Sequence, residues 1–396
     1  MDNNTEYSLK GLNWLNFFLA IVSTGVGSFL VVYLSSNLKW SSSDIGIAIS
    51  AMSFATVICQ SPAGFFVDKT KYKRWVIILP SIVIAIAALF MQLFPAFSVI
   101  LTGRIIMGIA AAFYVPGLIA LAQGLTGKNN FDKTISKNQA YNHAGHVIFS
   151  VLIGIICNYT HNEGLFYCLI FLSLASVISA LVISAKEIKP APKPATAKQL
   201  KEKKHLNNRA FIVFIIAAFI FNFANGALLP LIGQQLSKTN ASNASLYMSA
   251  CIVISQLVMI PVAYWCGRGV LKGRKKLLII GFIALPVRGL LYLLGSSPAL
   301  ILSLQLLDGV SAGIFGVVSV LVVADLAAES GKANLAQGVF ATAVGLGVAL
   351  SNLVCGFILD ASGFSTCFLL LGLLAVAALI LLVTAMPETF KKETAG

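Results

Sequence analysis

The chain has 396 residues, of which 58% are hydrophobic and only 11% charged, with a mean hydropathy of +0.89. A soluble domain of this length does not reach such values, because its surface needs more charge. The net charge of +14 is no nucleic-acid signal either: the basic residues form no single polar face and lie in alternate loops between apolar runs, as in a multi-pass membrane protein.

In chain order, apolar runs occupy residues 11–34, 45–67, 75–94, 98–123, 138–158 and 164–185, then 210–235, 246–266, 276–295, 298–325, 334–358 and 363–385. Each has about the 20 residues that a helix needs to cross a bilayer core of about 30 Å. The expected fold class is therefore an all-α membrane protein with 12 transmembrane helices. Lys39 and Lys238 lie in loops on one side, and Arg104 and Arg288 lie inside spans. Every other Lys and Arg falls in a loop or terminus of the opposite side. By the positive-inside rule that side is the cytoplasm, so both termini are expected there.

Residues 186–209 form the one long polar stretch and divide the chain into expected units at 1–185 and 210–396. Pro190, Pro192 and Pro194 break any helix at the start of this linker. Its second part, AKQLKEKKHL, is either a short amphipathic helix on anionic headgroups or a solvated tether. The seven cysteines match no zinc or redox spacing and read as small packing residues. No cleavable signal is read in MDNNTEYSLK. The outer loops are short, which favours a bacterial inner membrane over a setting where the Asn158, Asn240 and Asn243 sequons would carry sugar.

The two halves echo each other at an offset of roughly 200 residues. Arg104-Ile-Ile-Met-Gly108 in span 4 matches Gln305-Leu-Leu-Asp-Gly309 in span 10, and each continues to a Gly-Lys loop, at Gly127-Lys128 and Gly331-Lys332. Pro62 in span 2 matches Pro261 in span 8, and Gly27 matches Gly226. Such repeats imply two six-helix bundles related by a pseudo-two-fold axis along the membrane normal.

On these residues the chain resembles the major facilitator superfamily over its whole length. The loop Gly64-Phe-Phe-Val-Asp68-Lys69-Thr-Lys-Tyr-Lys73-Arg74 is similar to the family's loop signature, and Arg104-x-x-x-Gly108 to its second signature. Lys71 replaces the usual second glycine. Span 5 lacks the Gly-Pro of the family's antiporters, so import and export both stay open. The loop after span 8 keeps a basic cluster but has no Asp. The resemblance implies that spans 1, 4, 7 and 10 line a central cavity, and that Asp68 helps lock the halves in one state. Asp68 is expected to pair with Lys73 or Arg74, or to face the start of span 11.

A charge in hydrocarbon costs about 2.5–3.5 kcal/mol at mid-helix, so Arg104, Arg288 and Asp308 are the first functional candidates. A membrane-buried carboxylate is a natural proton carrier, which makes Asp308 the proton-coupling candidate. The other reading is an ion pair with Arg288, within reach across the span 9–10 hairpin. Arg104 either snorkels to the headgroups or faces the interior beside Gly108. Neutral candidates for the cavity are Tyr114, Asn222, Asn225, Gln305, Gln60, Gln256 and Asn142. His143 and His146 lie one turn apart but have no third ligand at metal spacing.

No phosphate-binding loop or enzyme constellation is present in the sequence. The expected activity is secondary transport of a small solute by alternating access, either efflux of a drug or metabolite or uptake of a small anionic metabolite or siderophore-like acid, as a monomer, with a proton gradient in place of any cofactor or metal. A non-transporting scaffold or sensor on the same fold is the alternative.

Overall fold

The computed structural model describes residues 3–127, 130–188, 209–267, 273–327 and 333–389. Most of the expected linker, Lys128, the Gly331-Lys332 loop, Arg268 and Lys272 lie outside the described residues. Among the described residues every regular element is helical, and eleven helical segments are long and apolar enough to cross a membrane.

The first segment is broken. Helix α1 (Asn3–Val22) gives way to α2 (Gly27–Ser36) through a turn in which Gly25 and Val26 both take positive φ. Helix α3 (Ser42–Lys69) starts cleanly because the Ser41 hydroxyl accepts from the Asp44 N–H and Asp44 places an acid in the first turn. After α4 (Trp75–Leu93), the fourth segment is divided into α5 (Phe97–Ala111) and α6 (Tyr114–Thr126), and α7 (Phe131–Tyr159) and α8 (Gly164–Val182) follow. The second half opens with another broken segment, α9 (Arg209–Gly226) and α10 (Leu228–Thr239). The Ser351 hydroxyl accepts the Ala227 N–H left over at that break, at 3.0 Å. Helices α11 (Ala244–Gly267), α12 (Arg274–Leu291) and α13 (Pro298–Ala327) complete the series with α14 (Ala333–Ala385). The sequence expects two spans within α14. The structure joins them through a break at Gly363, whose φ of 79° suits glycine because it has no Cβ.

Contacts divide the chain into two units, Met1–Lys193 with Leu236–Val253, and Pro194–Gln235 with Ile254–Gly396. In the first, α1 packs on α7 and α8, α3 on α5, and α4 on α5 and α8. The segment 236–253 belongs here, where the sequence repeat assigns it to the second half. Its Ser249 lies against Gly154 of α7, and its Ser245 hydroxyl donates to the Asn162 side chain at 2.6 Å. In the second unit α9 packs on α14, and α12 on α13 and α14.

Close packing explains the repeated glycines. A Cβ at Gly108 would fall on the Met52 carbonyl of α3 and 2.7 Å from the Ala55 methyl. One at Gly309 would lie 2.6 Å from the Ser255 carbonyl of α11 and 2.5 Å from Val258. A second repeated pair emerges from the packing. A Cβ at Gly145 of α7 would fall on the Phe17 carbonyl of α1, and one at Gly347 of α14 would lie 2.6 Å from the Phe219 carbonyl of α9. Small residues of this kind let membrane helices approach backbone to backbone, where dispersion rather than water exclusion drives association.

Gly108→Ala and Gly309→Ala are each expected to destabilise the protein by about 1–3 kcal/mol through overpacking. Gly316 has open space around its Cβ position, so Gly316→Ala is expected to be neutral or to stabilise by up to about 1 kcal/mol. Thermal unfolding in detergent micelles checks the contrast.

Candidate functional site

Arg288 stands in the last turn of α12, where the helix dipole favours a cation, and its side chain is 1% exposed. Nothing in a bilayer interior solvates a guanidinium, so its donors must find protein acceptors. They do so on three sides. Nη1 donates to the Asp308 carboxylate of α13, forming an ion pair, and to the Asn225 side-chain carbonyl of α9 at 3.0 Å. Nη2 donates to Gln305 Oε1 of α13 at 3.2 Å, and Nε to the Tyr292 hydroxyl at 3.2 Å.

Helical spacing builds this cluster. Gln305 and Asp308 are one turn apart on α13 and so share a face, and Tyr292 follows Arg288 by one turn. Asn225 comes from the residue before Gly226, at the break in the seventh segment. Gln305 is fully buried and acts as the hub. Its Nε2 donates to the Tyr292 hydroxyl at 2.9 Å and to the Ile301 carbonyl at 3.1 Å, while the Ser255 hydroxyl of α11 donates to its Oε1 at 3.4 Å. Asp308 is the least covered member of the ion pair, with 19% of its side chain exposed. A fully desolvated cation is thus joined to a carboxylate that still reaches the surface.

Arg104 lies 2% exposed on α5, which overturns the snorkelling alternative. Its Nη1 donates to the Gly25 carbonyl at 3.1 Å and its Nε to the Ala48 carbonyl of α3 at 3.3 Å. The cation therefore caps the broken C-terminal end of α1, where unpaired carbonyls carry partial negative charge. Among the described residues no carboxylate forms an ion pair with it. Gly25 is required twice over, since its φ is +56° and a Cβ there would lie 2.6 Å from Arg104 Nη1.

The other expected site residues disperse. The Tyr114 hydroxyl is buried against Ser81 of α4 at 3.2 Å, so it ties α6 to α4. Asn222 donates to the Ala218 carbonyl of its own helix at 2.8 Å, and only Asn225 of that pair joins the cluster. Asn142 donates to the Asn16 carbonyl at 3.2 Å and joins α7 to α1. Gln60 and Gln256 are half-buried on α3 and α11. His143 and His146 lie on α7, and no group of three metal-ligating side chains occurs among the described residues.

The signature loop departs from expectation in its pairing. Lys73 Nζ donates to the Val67 carbonyl and to the Asp68 carbonyl at 3.3 Å, not to the Asp68 carboxylate. Arg74 donates to the carbonyls of Ile183 at 2.7 Å and Leu181 at 3.4 Å, at the end of α8. Both cations therefore serve helix C-termini, which offer several unpaired oxygens within one side-chain length. Burial holds the Lys73 ammonium below its usual range, against the opposing pull of the Asp68 charge. Lys69 lies over the Phe65 ring at 3.9 Å, and Gly64 has open space around it.

The loop after span 8 lacks an Asp, and acids from elsewhere in the second unit take its place. The Glu388 carboxylate accepts the Arg274 and Lys275 N–H groups at 2.8 and 3.1 Å, capping the start of α12. Asp325 pairs with Arg274 at 3.4 Å and accepts from Thr389 at 3.2 Å. Tyr292, Ser255 and Glu388 are the residues sequence reasoning missed. The one available signal was the one-turn spacing of Arg288 and Tyr292.

A helical chain with eleven membrane-length apolar segments, broken spans and a buried charged cluster defines a multi-pass membrane transporter. The sequence profile of the Major Facilitator Superfamily matches residues 12–285 and 269–395, and the chain belongs to that family. It is 36% identical over 398 aligned residues to an uncharacterised MFS-type transporter of Mycobacterium tuberculosis, covering 97% of this chain and 94% of the relative. The quinolone resistance protein NorA of Staphylococcus aureus is 22% identical over 54% of this chain and 55% of its own length. Among solved structures, a point mutant of the nucleoside transporter NupG superposes with a TM-score of 0.76 at 16% identity, over 97% of this chain and 100% of the other. A POT family transporter in complex with a thioalcohol-conjugated peptide gives 0.80 at 11% identity, over 95% of each chain. Relatives and neighbours are transporters rather than enzymes, and the class carries a small-molecule substrate through a membrane-embedded protein.

The ion pair makes a stability prediction. Asp308→Leu strands a buried guanidinium and is expected to cost about 3–5 kcal/mol, whereas Arg288→Met with Asp308→Leu is expected to cost clearly less than the sum of the single changes. Thermal or denaturant unfolding of the four proteins in one detergent measures the coupling.

Proposed function

We propose that this protein is a proton-coupled secondary transporter of the bacterial inner membrane, and that Asp308 is its proton-carrying residue. On this reading the chain crosses the membrane twelve times, with the break at Gly363 separating the last two crossings and both termini in the cytoplasm. The basic residues left on that side by the positive-inside rule support the orientation. Transport proceeds by alternating access, each half of the chain contributing one six-helix bundle and residues 186–209 joining them.

The observation that carries the reading is the unequal burial of the ion pair. Arg288 is buried, while Asp308, the one acid whose charge meets it in an ion pair among the described residues, still reaches the surface. Protonating Asp308 removes that charge. Asn225, Gln305 and Tyr292 then hold the guanidinium by hydrogen bonds only, and its charge favours an anionic group arriving with the proton. The coupling needs no second titrating site, because one carboxylate decides whether Arg288 is neutralised from within or by the solute. A small solute bearing a carboxylate or similar anionic group is the substrate class this supports, such as an organic-acid metabolite. Arg104 contributes by holding the broken first segment in shape, since its Nη1 and Nε donate to the Gly25 and Ala48 carbonyls.

Purified protein in liposomes with an imposed pH gradient tests the proposal against a panel of small organic acids and neutral solutes. An anionic solute is expected to accumulate with the gradient. Asp308→Asn is expected to lower gradient-driven accumulation by about tenfold or more, equivalent to about 1.4 kcal/mol, while gradient-free solute exchange persists. Solute and proton movement equal to that of the unaltered protein would make Asp308 purely structural.

A further inference from the structure

The first unit carries a feature that transport through the Arg288 cluster does not use. An apolar groove of about 650 Å³ runs along the outer surface between α3, α4 and α5, past Phe66, Trp75, Leu79, Val83, Ile109 and Phe113. A second hollow of about 480 Å³ shares Val83 and Ile106 with it and continues toward Phe90 at the far end of α4. The 19 residues of α4 span about 28 Å at 1.5 Å per residue, close to a full hydrocarbon thickness. Phe66 and Phe113 meet edge to face at 6.0 Å at the near end.

Thr70 and Tyr72 line that near end, beside Lys69, the last residue of α3, and Lys71, Lys73 and Arg74 that follow it, with Asp68 the one acid between Gly64 and Trp75. Backbone carbonyls occupy Lys73 and Arg74, as described above. Lys69 lies over the Phe65 ring, and Lys71 is exposed. Tyr72 and Trp75 line the mouth and are 72% and 46% exposed. Amphipathic rings of this type settle at headgroup level, with the polar edge toward water and the ring in the chains.

We propose that this groove binds an anionic phospholipid, with an acyl chain along α4 and the phosphate against Lys69 and Lys71. Charge complementarity selects the occupant. A neutral apolar solute would gain from the groove but nothing from the lysines, and a free anion would gain from the lysines but nothing from the groove. Only a molecule that joins a long chain to a negative headgroup satisfies both ends. The proposal does not depend on what the protein transports.

Trp75 reports directly on occupancy. With Trp14, Trp40 and Trp265 changed to Phe, Trp75 is the sole tryptophan, and its fluorescence is read in phosphatidylcholine vesicles containing a low fraction of dibrominated lipid. Dibrominated phosphatidylglycerol is expected to quench more strongly than dibrominated phosphatidylcholine, with a relative affinity near fivefold per lysine, or about twenty-five-fold for the pair. Lys69→Gln with Lys71→Gln is expected to abolish the preference and leave quenching by the neutral lipid unchanged. Ala110→Phe, which fills the groove, is expected to reduce quenching by both. Equal quenching by the two lipids, a preference that survives loss of both lysines, or equal quenching by a neutral brominated alcohol would each overturn the proposal. In the unaltered protein, phosphatidylglycerol added to micelles is expected to raise the thermal midpoint more than phosphatidylcholine does. Absence of that difference would equally overturn it.

Discussion

A guanidinium held in hydrocarbon has to be neutralised by the protein around it, and Arg288 imposes that requirement on its whole neighbourhood. Two other helices and the turn after its own converge to meet it. Helix α13 supplies Asp308 and Gln305 one turn apart, α9 supplies Asn225 at a helix break, and the turn that continues α12 supplies Tyr292. Gln305 is tied in addition to Ser255 of α11. The relative rotation of α9, α12 and α13 is consequently set by hydrogen-bond geometry, which is directional, as well as by apolar packing, which is not.

Arg104 shows the other way to hold a buried cation. It is met by carbonyl oxygens at the interruption in the first segment, so the break in α1 and the charge on α5 each supply what the other lacks. The two halves carry equivalent glycines at Gly108 and Gly309 and the same close helix approach. One half places an arginine and the other a glutamine four residues earlier, Arg104 against Gln305. Asymmetry inside a repeated frame is where function separates from architecture. In the first half the charge maintains a helix break, and in the second it faces a carboxylate that reaches the surface.

The site was partly legible before folding. Asp308 and Arg288 were marked by the cost of charge in a membrane, and a pairing across the hairpin was one of two readings of them. The role of Arg104 was not legible, because a backbone carbonyl leaves no mark in a list of side chains. The same holds for Lys73 and Arg74, whose expected partner Asp68 gave way to carbonyls at helix ends. Tyr114, Asn142 and Asn222 stand out in the sequence only as polar residues within apolar spans. Polarity alone does not distinguish a ligand contact from a helix-to-helix hydrogen bond, and Tyr114 and Asn142 turned out to make the second kind.

Length and spacing of apolar runs were sufficient for the sequence to determine an all-helical membrane protein, its repeat and most segment bounds, because a bilayer leaves a backbone few options. Tertiary structure alone decided which acceptor each buried cation meets and which polar residues converge. It also decided where segments break and that residues 236–253 pack with the first unit. Those outcomes depend on helix rotation and on backbone groups that every residue carries alike, and no linear pattern of side chains encodes either.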